Sequence, residues 1–373
     1  MGLSNSPPQD NEIEVSVFGP GFGECILIHL GNKEWLVVDS CLDPEHKEPY
    51  PLIYLNKLGI DPKYSIKYIL ATHWHDDHIR GLSRIVEVCK DAEFICSSAF
   101  GKKEFTTLVD AYSKHTMLQD SGIEEFNRIL TYNLLRRPKK SIKLASGDRP
   151  LYTSNNSCPD LRYSIYSLSP SDHAMLNAVL DIARLLPEAK TTKIRFPNIQ
   201  PNNTCVVLLI IIGELALLLG ADLEEMGDPN MGWMNIIASQ TRPAIKAILY
   251  KISHHGSPNA DHQDIWTSLL DGYFHAVLTP FTHGNVYLPR ETDLRRIKAN
   301  TGTNETYITS LPRWIRPITR NSTVERTIRE SGIKLMRYNN SHGHVRFRLN
   351  AKARPYTWHV DLDGQATNIE NLI

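Results

Sequence analysis

Seven consecutive residues, Thr72-His73-Trp74-His75-Asp76-Asp77-His78, bring together three imidazoles and two carboxylates directly after Ile66 to Leu70, a mostly apolar stretch that reads as a buried strand. Burying so many titratable groups is costly unless a metal holds them. Neutral imidazole nitrogens and carboxylate oxygens are the donors that borderline divalent ions prefer. A strand end also fixes a short loop rigidly enough to aim several of them at one point. This cluster therefore reads as the nucleus of a metal site on which distant loops converge.

The rest of the 373-residue chain sets the frame. With 41% hydrophobic and 22% charged residues it is globular and large enough for one large domain or two smaller ones. Lys plus Arg (41) equals Asp plus Glu (41), so no overall field draws it to nucleic acid, and any such binding must rest on a local patch. The six cysteines show neither zinc-ribbon spacing nor the density of a disulfide scaffold and read as reduced core thiols. Met1 to Asn11 has no apolar signal core, so the expected location is the cytoplasm. The longest apolar run, Cys205 to Leu219, is too short to span a membrane. It reads as a buried hairpin, Val206 to Ile212 and Leu215 to Leu219, turning at Gly213-Glu214.

The N-terminal pattern is strand (Ile13 to Phe18), a Gly-rich turn (Gly19 to Glu24), then strands at Cys25 to Leu30 and Trp35 to Val38 that deliver Asp39. Helices are expected at Tyr50 to Leu58 and Ile79 to Lys90, on either side of the histidine cluster. Between about 97 and 200, helical stretches (Lys102 to Lys114, Ile123 to Leu135, His173 to Leu186) outnumber strands (Ile142 to Leu144, Leu161 to Leu168). Parts of this region read as insertions near an active-site rim. Further on, strands at Ala247 to Ile252, Ala276 to Thr279, Tyr307 to Thr309 and Val345 to Leu349 alternate with helices at Gln263 to Leu270 and Arg290 to Ala299. The class is α/β, with two sheets between helical layers.

Two more strand ends present ligand-type residues. Leu219-Gly220-Ala221-Asp222 delivers a carboxylate that either bridges two cations or caps a helix beginning at Leu223 to Met226. Lys251-Ile252-Ser253-His254-His255-Gly256-Ser257 delivers adjacent histidines. Three separate strand ends of this kind make coincidence improbable.

The spacing of His73, His75, Asp77 and His78 resembles the motif of the metallo-β-lactamase superfamily. Within it the chain looks most like the soluble hydrolase domain of ComEC-type DNA-uptake proteins. The matching features are the turn Gly21 to Glu24, Asp39, the histidine motif, Asn202-Asn203-Thr204, Asp222 and His254-His255-Gly256-Ser257. The resemblance implies one αββα sandwich domain over residues 12–350, with insertions within about 97–200 and a C-terminal extension at 351–373. It also implies two divalent ions, Zn²⁺ or Mn²⁺: His73 and His75 would hold one, Asp77 and His78 the other, and Asp222 would bridge them. His254 or His255 would complete the second ion's shell, because adjacent residues leaving a strand point in opposite directions. Asp77 and His78 would then be catalytic, Asp39 would accept the other ring proton of a ligand histidine, and Asn203 would line the pocket.

The chain departs from the superfamily pattern in two places. A further histidine on the first ion is missing from its usual place, where only His115 and His173 are available, and a late His-Pro is replaced by Tyr287-Leu288-Pro289-Arg290 with His283 nearby. The implied chemistry is hydrolysis by metal-activated water. A nuclease or phosphodiesterase acting on DNA is favoured by the ComEC-like features and by two basic segments, Arg136-Arg137-Pro138-Lys139-Lys140 and the stretch with Arg313, Trp314, Arg316 and Arg320. Arg346, Arg348, Lys352 and Arg354 alternate along a strand and would share one face. The setting would be a multi-component prokaryotic antiviral defence or mobile-element system with protein partners. The alternatives are a small-molecule thioester, lactone or cyclic-nucleotide hydrolase, and a non-catalytic partner-binding or sensor subunit.

Overall fold

The computed structural model describes residues 5–101, 122–135, 141–185, 201–315, 322–331 and 343–373. The first strands are β1 (Glu12–Phe18), β2 (Cys25–His29), β3 (Trp35–Val38), β4 (Ile66–Ala71), β5 (Glu93–Ser97) and β6 (Lys143–Ala145). They are followed by β7 (Arg149–Thr153), β8 (Tyr163–Ser167), β9 (Leu208–Ile212), β10 (Leu215–Leu219), β11 (Ala247–Lys251) and β12 (Leu270–Leu278). The last are β13 (Phe281–His283), β14 (Val286–Leu288), β15 (Thr306–Ile308), β16 (Gly343–Asn350), β17 (His359–Gly364) and β18 (Thr367–Asn368).

Among the described residues they form two eight-stranded mixed sheets, β17-β16-β1-β2-β3-β4-β5-β6 and β18-β15-β12-β11-β10-β9-β8-β7, with β13-β14 as a separate hairpin. Ile13, Val15 and Val17 of the first sheet meet Leu208, Ile210, Leu217 and Leu249 of the second in one apolar layer. The outer face of the first sheet is covered by helices Tyr50–Lys57, Leu82–Val88, Gly122–Leu135 and Asp172–Leu185, through Leu55, Ile85, Phe126 and Ile182. Trp233 and Ile297 of helices Gly232–Ala238 and Glu291–Thr301 cover the second. This is the αββα sandwich expected. Because strands β9 and β10 are covered on both faces, their sequence is continuously apolar rather than alternating.

Several local expectations are revised. The helix expected over Ile79 to Lys90 is two short ones, Asp76–Ile79 and Leu82–Val88, broken at Gly81. Leu223 to Met226 is not helical, so Asp222 has no helix to cap. A π-helical turn, Ile265–Leu269, replaces the helix expected at Gln263 to Leu270. Strand β7 escapes a reading by pattern because Pro150 interrupts it. It lies at a sheet edge, where a missing N–H is tolerated, and its register shifts between Pro150 and Tyr152. Helix Gly122–Leu135 is part of the covering layer rather than a peripheral insertion. Residues 351–373, set apart in the sequence as an extension, supply β17 and β18, the edge strands of both sheets. The expected helix Lys102 to Lys114, His115, Arg136 to Lys140, Arg316 and Arg320 lie outside the described residues.

Candidate metal centre

Five strands of the two sheets end at one rim, and each hands a polar residue to it: Asp39 after β3, the histidine loop after β4, Asp222 after β10, His254 and His255 after β11, and Thr279 after β12. Ligands gather at the carboxyl ends of parallel strands because neighbouring loops diverge there and leave a crevice. Backbone hydrogen bonds lock the loops together. Asp39 N donates to Leu70 O (2.8 Å), Gly220 N to Lys251 O (3.0 Å) and His254 N to Ala221 O (2.9 Å). Gly220 is required for this approach, since a Cβ there would stand 2.1 Å from Ser253 Oγ. Gly23 has φ +106° and would place a Cβ 2.6 Å from Cys41 Cβ. It lets the Gly-rich turn close on the histidine loop, where Glu24 N donates to Asp77 O (2.8 Å).

The rim is also where backbone strain collects. Of the eight non-glycine residues with positive φ among the described residues, four are Asp39, Ala221, His254 and His255. Each costs about 1–3 kcal/mol and persists only where the surroundings hold it in place.

Asp77, His78, Asp222 and His255 offer one ligand atom each, all within 4.8 Å of one another, and His73, His75 and Asp222 form a second such set. Asp222 belongs to both. His255 Nε2 stands 3.3 Å from Asp77 Oδ2 and 3.6 Å from Asp222 Oδ2, and His78 Nε2 stands 3.3 Å from Asp222 Oδ1. The structure separates the two adjacent histidines: His255 is buried inside the first set, whereas His254 lies at its edge, with Nε2 3.9 Å from Asp222 and Nδ1 3.3 Å from Glu224.

The hydrogen bonds behind the rings decide which nitrogen faces inward. Asp39 accepts from Thr72 N (2.7 Å) and Thr72 Oγ1 (2.6 Å), and its Oδ2 lies 2.7 Å from His78 Nδ1, which donates to it. With its proton given to Asp39, the Thr72 hydroxyl accepts from His73 Nδ1 at 2.9 Å. His255 Nδ1 donates toward Thr279 O at 3.1 Å. In all three rings Nε2 is thereby turned to the centre. Asp39 lies behind the His78 ring, on the side away from the cluster's centre.

Electrostatics follow the same division. Burial and the neighbouring imidazoles of His78 and His75 hold His73 well below its ordinary value, and burial also lowers His75, so both rings are neutral donors. Burial opposes charge on His78 and His255, yet Asp222 and Asp77 outweigh it and raise both rings, with Asp39 adding to the effect at His78. Burial would likewise raise Asp77 and Asp222, but His78 and His255 overcome it and both carboxyls are lowered. The cluster thus compensates its carboxylates with ring protons, which a divalent ion would displace on binding.

The fit to a metal can be tested on the polar atoms themselves. Among the described residues, His78 Nε2, His255 Nε2 and Asp222 Oδ1 are buried and make no hydrogen bond; each faces the other members of the cluster, in ion-pair contacts of 3.3 Å or longer. Buried polar atoms without partners are rare in folded proteins, and these carry the donor chemistry of a divalent-ion site. The residues present fit such an ion.

Other expected residues fall elsewhere. Asn203 sits half-buried in the 3₁₀ turn Pro201–Thr204 and makes no hydrogen bond to the cluster among the described residues; its neighbour Asn202 donates to Glu224 (2.8 Å). His173, at the start of helix Asp172–Leu185, pairs with Asp228 at 3.5 Å. Trp314 donates to Pro289 O and packs on the core, so its ring is not a free platform for a base. Arg346 and Arg348 are buried in ion pairs with Asp361 and Glu14, and Arg354 pairs with Asp160 and Glu214. These side chains do not form a basic face. The pattern reading missed Thr72, Thr279 and Phe281, whose ring stacks on His255 at 5.2 Å. Thr72 adjoins the histidine run, but nothing in the local sequence marks Thr279 or Phe281, because their roles arise from contacts across the fold.

Residues 18–140 match the family model described as the metallo-beta-lactamase superfamily. Its members are generally metal-dependent hydrolases. Similar solved structures include the metallo-beta-lactamase fold protein YhfI from Bacillus subtilis, at 15% identity and a TM-score of 0.40 over 80% of this chain and 96% of that one. A Cronobacter sakazakii metallo-beta-lactamase with a HARLDQ motif is 13% identical, with a TM-score of 0.32 over 62% of this chain and 65% of that one. No curated protein matches the chain. Among the described residues no helix is long and apolar enough to cross a membrane.

Proposed function

We propose that this chain is a metal-dependent phosphodiesterase that cleaves DNA, using two divalent ions, Zn²⁺ or Mn²⁺, with Asp222 shared between them. The observation that carries the reading is the pair of donor sets, His73–His75–Asp222 and Asp77–His78–His255–Asp222, meeting at one carboxylate. Two ions held there would supply an activated water and neutralise charge on a phosphoryl group. The chain's own residues hold and orient the donors. Asp39 and Thr72 fix the rings of His78 and His73, and the rim arginine Arg80 lies two residues beyond His78, over the Phe22 ring at 5.2 Å. Lys47 lines a cavity of about 230 Å³ with Phe22, Asp76 and Arg80, and its charge would attract a phosphate there; Arg80 is paired with Asp76 at 3.3 Å. The proposed setting is cytoplasmic, as an effector with protein partners in a prokaryotic defence system.

A second reading, a small-molecule hydrolase for a thioester, lactone or cyclic nucleotide, is favoured by the internal pairing of Arg346 and Arg348. One experiment separates the two. Metal-loaded protein is incubated with single-stranded, double-stranded and plasmid DNA, with and without added Mn²⁺, beside an Asp77→Ala/His78→Ala double variant. DNA cleavage that disappears in the variant supports the nuclease. Cleavage of bis(p-nitrophenyl) phosphate or a chromogenic thioester with DNA left intact supports the second reading.

A further inference from the structure

Behind the His255 ring, on the side away from the proposed ions, lies an ion pair that the chemistry above does not use. Glu24, the last residue of the Gly-rich turn, is 1% exposed, and Lys251, the last residue of β11, is 0% exposed. Lys251 Nζ stands 2.6 Å from Glu24 Oε2 and also donates to Ile252 O at 3.0 Å. The same Glu24 oxygen accepts from the Thr279 hydroxyl and lies 3.9 Å from His255 Nδ1. His255 Nδ1 is in turn 3.1 Å from both Thr279 O and Thr279 Oγ1.

A fully buried ion pair is a weak device for stability, because desolvating two charges costs about as much as their attraction returns, and a well-packed apolar pair often does better. Its position is more informative. The carboxylate sits where negative charge strengthens an imidazole as a donor on its opposite nitrogen. The lysine sits where it keeps that carboxylate from adding a net charge to a rim already holding Asp39, Asp77 and Asp222. Three separate segments, the Gly-rich turn, the end of β11 and the end of β12, must meet to build the arrangement.

We infer that Glu24 is a positioning residue for His255, with Lys251 holding its carboxylate in place: through Thr279, Glu24 holds the His255 Nδ1 proton outward and sets the donor strength of the Nε2 that faces Asp77 and Asp222. This rests on the reading of His255 as a metal ligand.

The test uses the full chain and four variants: Glu24→Gln, Lys251→Met, the double variant, and His255→Ala as a control. Affinity for Co²⁺ and Zn²⁺ is measured by competition with a chromogenic chelator, the visible spectrum of the Co²⁺-loaded protein is recorded, and the stability of chelator-treated protein is measured in urea. Glu24→Gln is expected to lose about 10–100-fold in affinity for the more weakly held ion and to shift the Co²⁺ spectrum. Lys251→Met is expected to keep its affinity while losing stability. The double variant should regain stability over either single change, yet keep the weakened affinity, since only the carboxylate acts on the ring. Should Lys251→Met fail to fold, the double variant against Glu24→Gln carries the same comparison. Unchanged affinity and spectrum in folded Glu24→Gln, or losses of affinity that track stability across all variants, would overturn the inference. Wild-type metal binding by His255→Ala would instead overturn the ligand assignment on which it stands.

Discussion

Two buried clusters of charge among the described residues are finished differently. On the first sheet, Glu14 is fully buried and accepts from Arg348 Nε (2.6 Å), Ser16 Oγ (2.7 Å) and Tyr54 OH (2.8 Å). Arg346 reaches Asp361 at 2.6 Å and the Tyr54 hydroxyl at 3.3 Å. At the strand-end rim, Asp77, His78, Asp222 and His255 are equally buried, yet among the described residues His78 Nε2, His255 Nε2 and Asp222 Oδ1 have no hydrogen bond. Burial and charge alone therefore do not mark a site. A network whose atoms are all satisfied holds strands together, whereas one that leaves facing donors and acceptors open is shaped for something else to enter.

The comparison breaks most visibly at the shared carboxylate. On the proposed two-ion reading, Asp222→Ala is expected to lower affinity for both ions by more than about 100-fold, since direct ligation would be lost where even supporting contacts are worth about 10–100-fold. Metal analysis after dialysis checks this, and retention of two ions per chain would remove the distinction. In the wild type, chelation should lower the melting temperature, because an ion that binds only the folded state stabilises it. In the variant, chelation should change little.

Glu14→Ala should act in the opposite sense. Removing one partner strands Arg348 in a buried setting and costs about 3–5 kcal/mol in urea unfolding, with metal content unchanged. A loss of metal without a loss of stability would mean that the closed network serves the site.

A third prediction sharpens the contrast between two buried imidazoles. His29 is closed: Nδ1 donates to Glu12 O (2.8 Å) and Nε2 accepts from Lys33 N (3.0 Å). Burial lowers it to about 4, so the unfolded chain takes up this proton first as pH falls. Its contribution is constant above about pH 6.5 and is lost between there and pH 4, roughly 3 kcal/mol in all. Urea unfolding of chelator-treated wild type and His29→Gln across this window should show the stability gap closing as pH falls. A gap independent of pH would show that His29 is not held neutral. The smallest effect is expected at the edge of the closed network, where Asp361 is 23% exposed: Asp361→Asn should cost about 1 kcal/mol by the same measurement.

Much of the rim could be read from the chain, and the reasons are local. His73, His75, Asp77 and His78 crowd into one loop after an apolar strand, and Asp222 and the His254-His255 pair each follow a recognisable strand end. Which of His254 and His255 lies inside the buried donor set could not be read that way. The choice depends on two successive left-handed residues, φ 44° and 54°, and on Thr279 from another strand. Arginines such as Arg346 and Arg348 look in sequence like a solvated face, and only their cross-strand partners Asp361 and Glu14, with Tyr54 of the covering helix, answer their charges inside the fold. Pro150 hid β7, and the short edge strands β17 and β18 gave too little pattern to be joined to the sheets they complete.

By itself the sequence determined the α/β alternation, the apolar strands and the chemical identity of the donors, because these depend on neighbours within a few positions along the chain. Tertiary structure alone decided which donors share an ion-sized space, which ring nitrogen faces it and which buried charges are already answered. Those properties depend on distances of a few ångströms between residues as far apart as Glu24, Lys251 and Thr279, and no spacing along a chain encodes them.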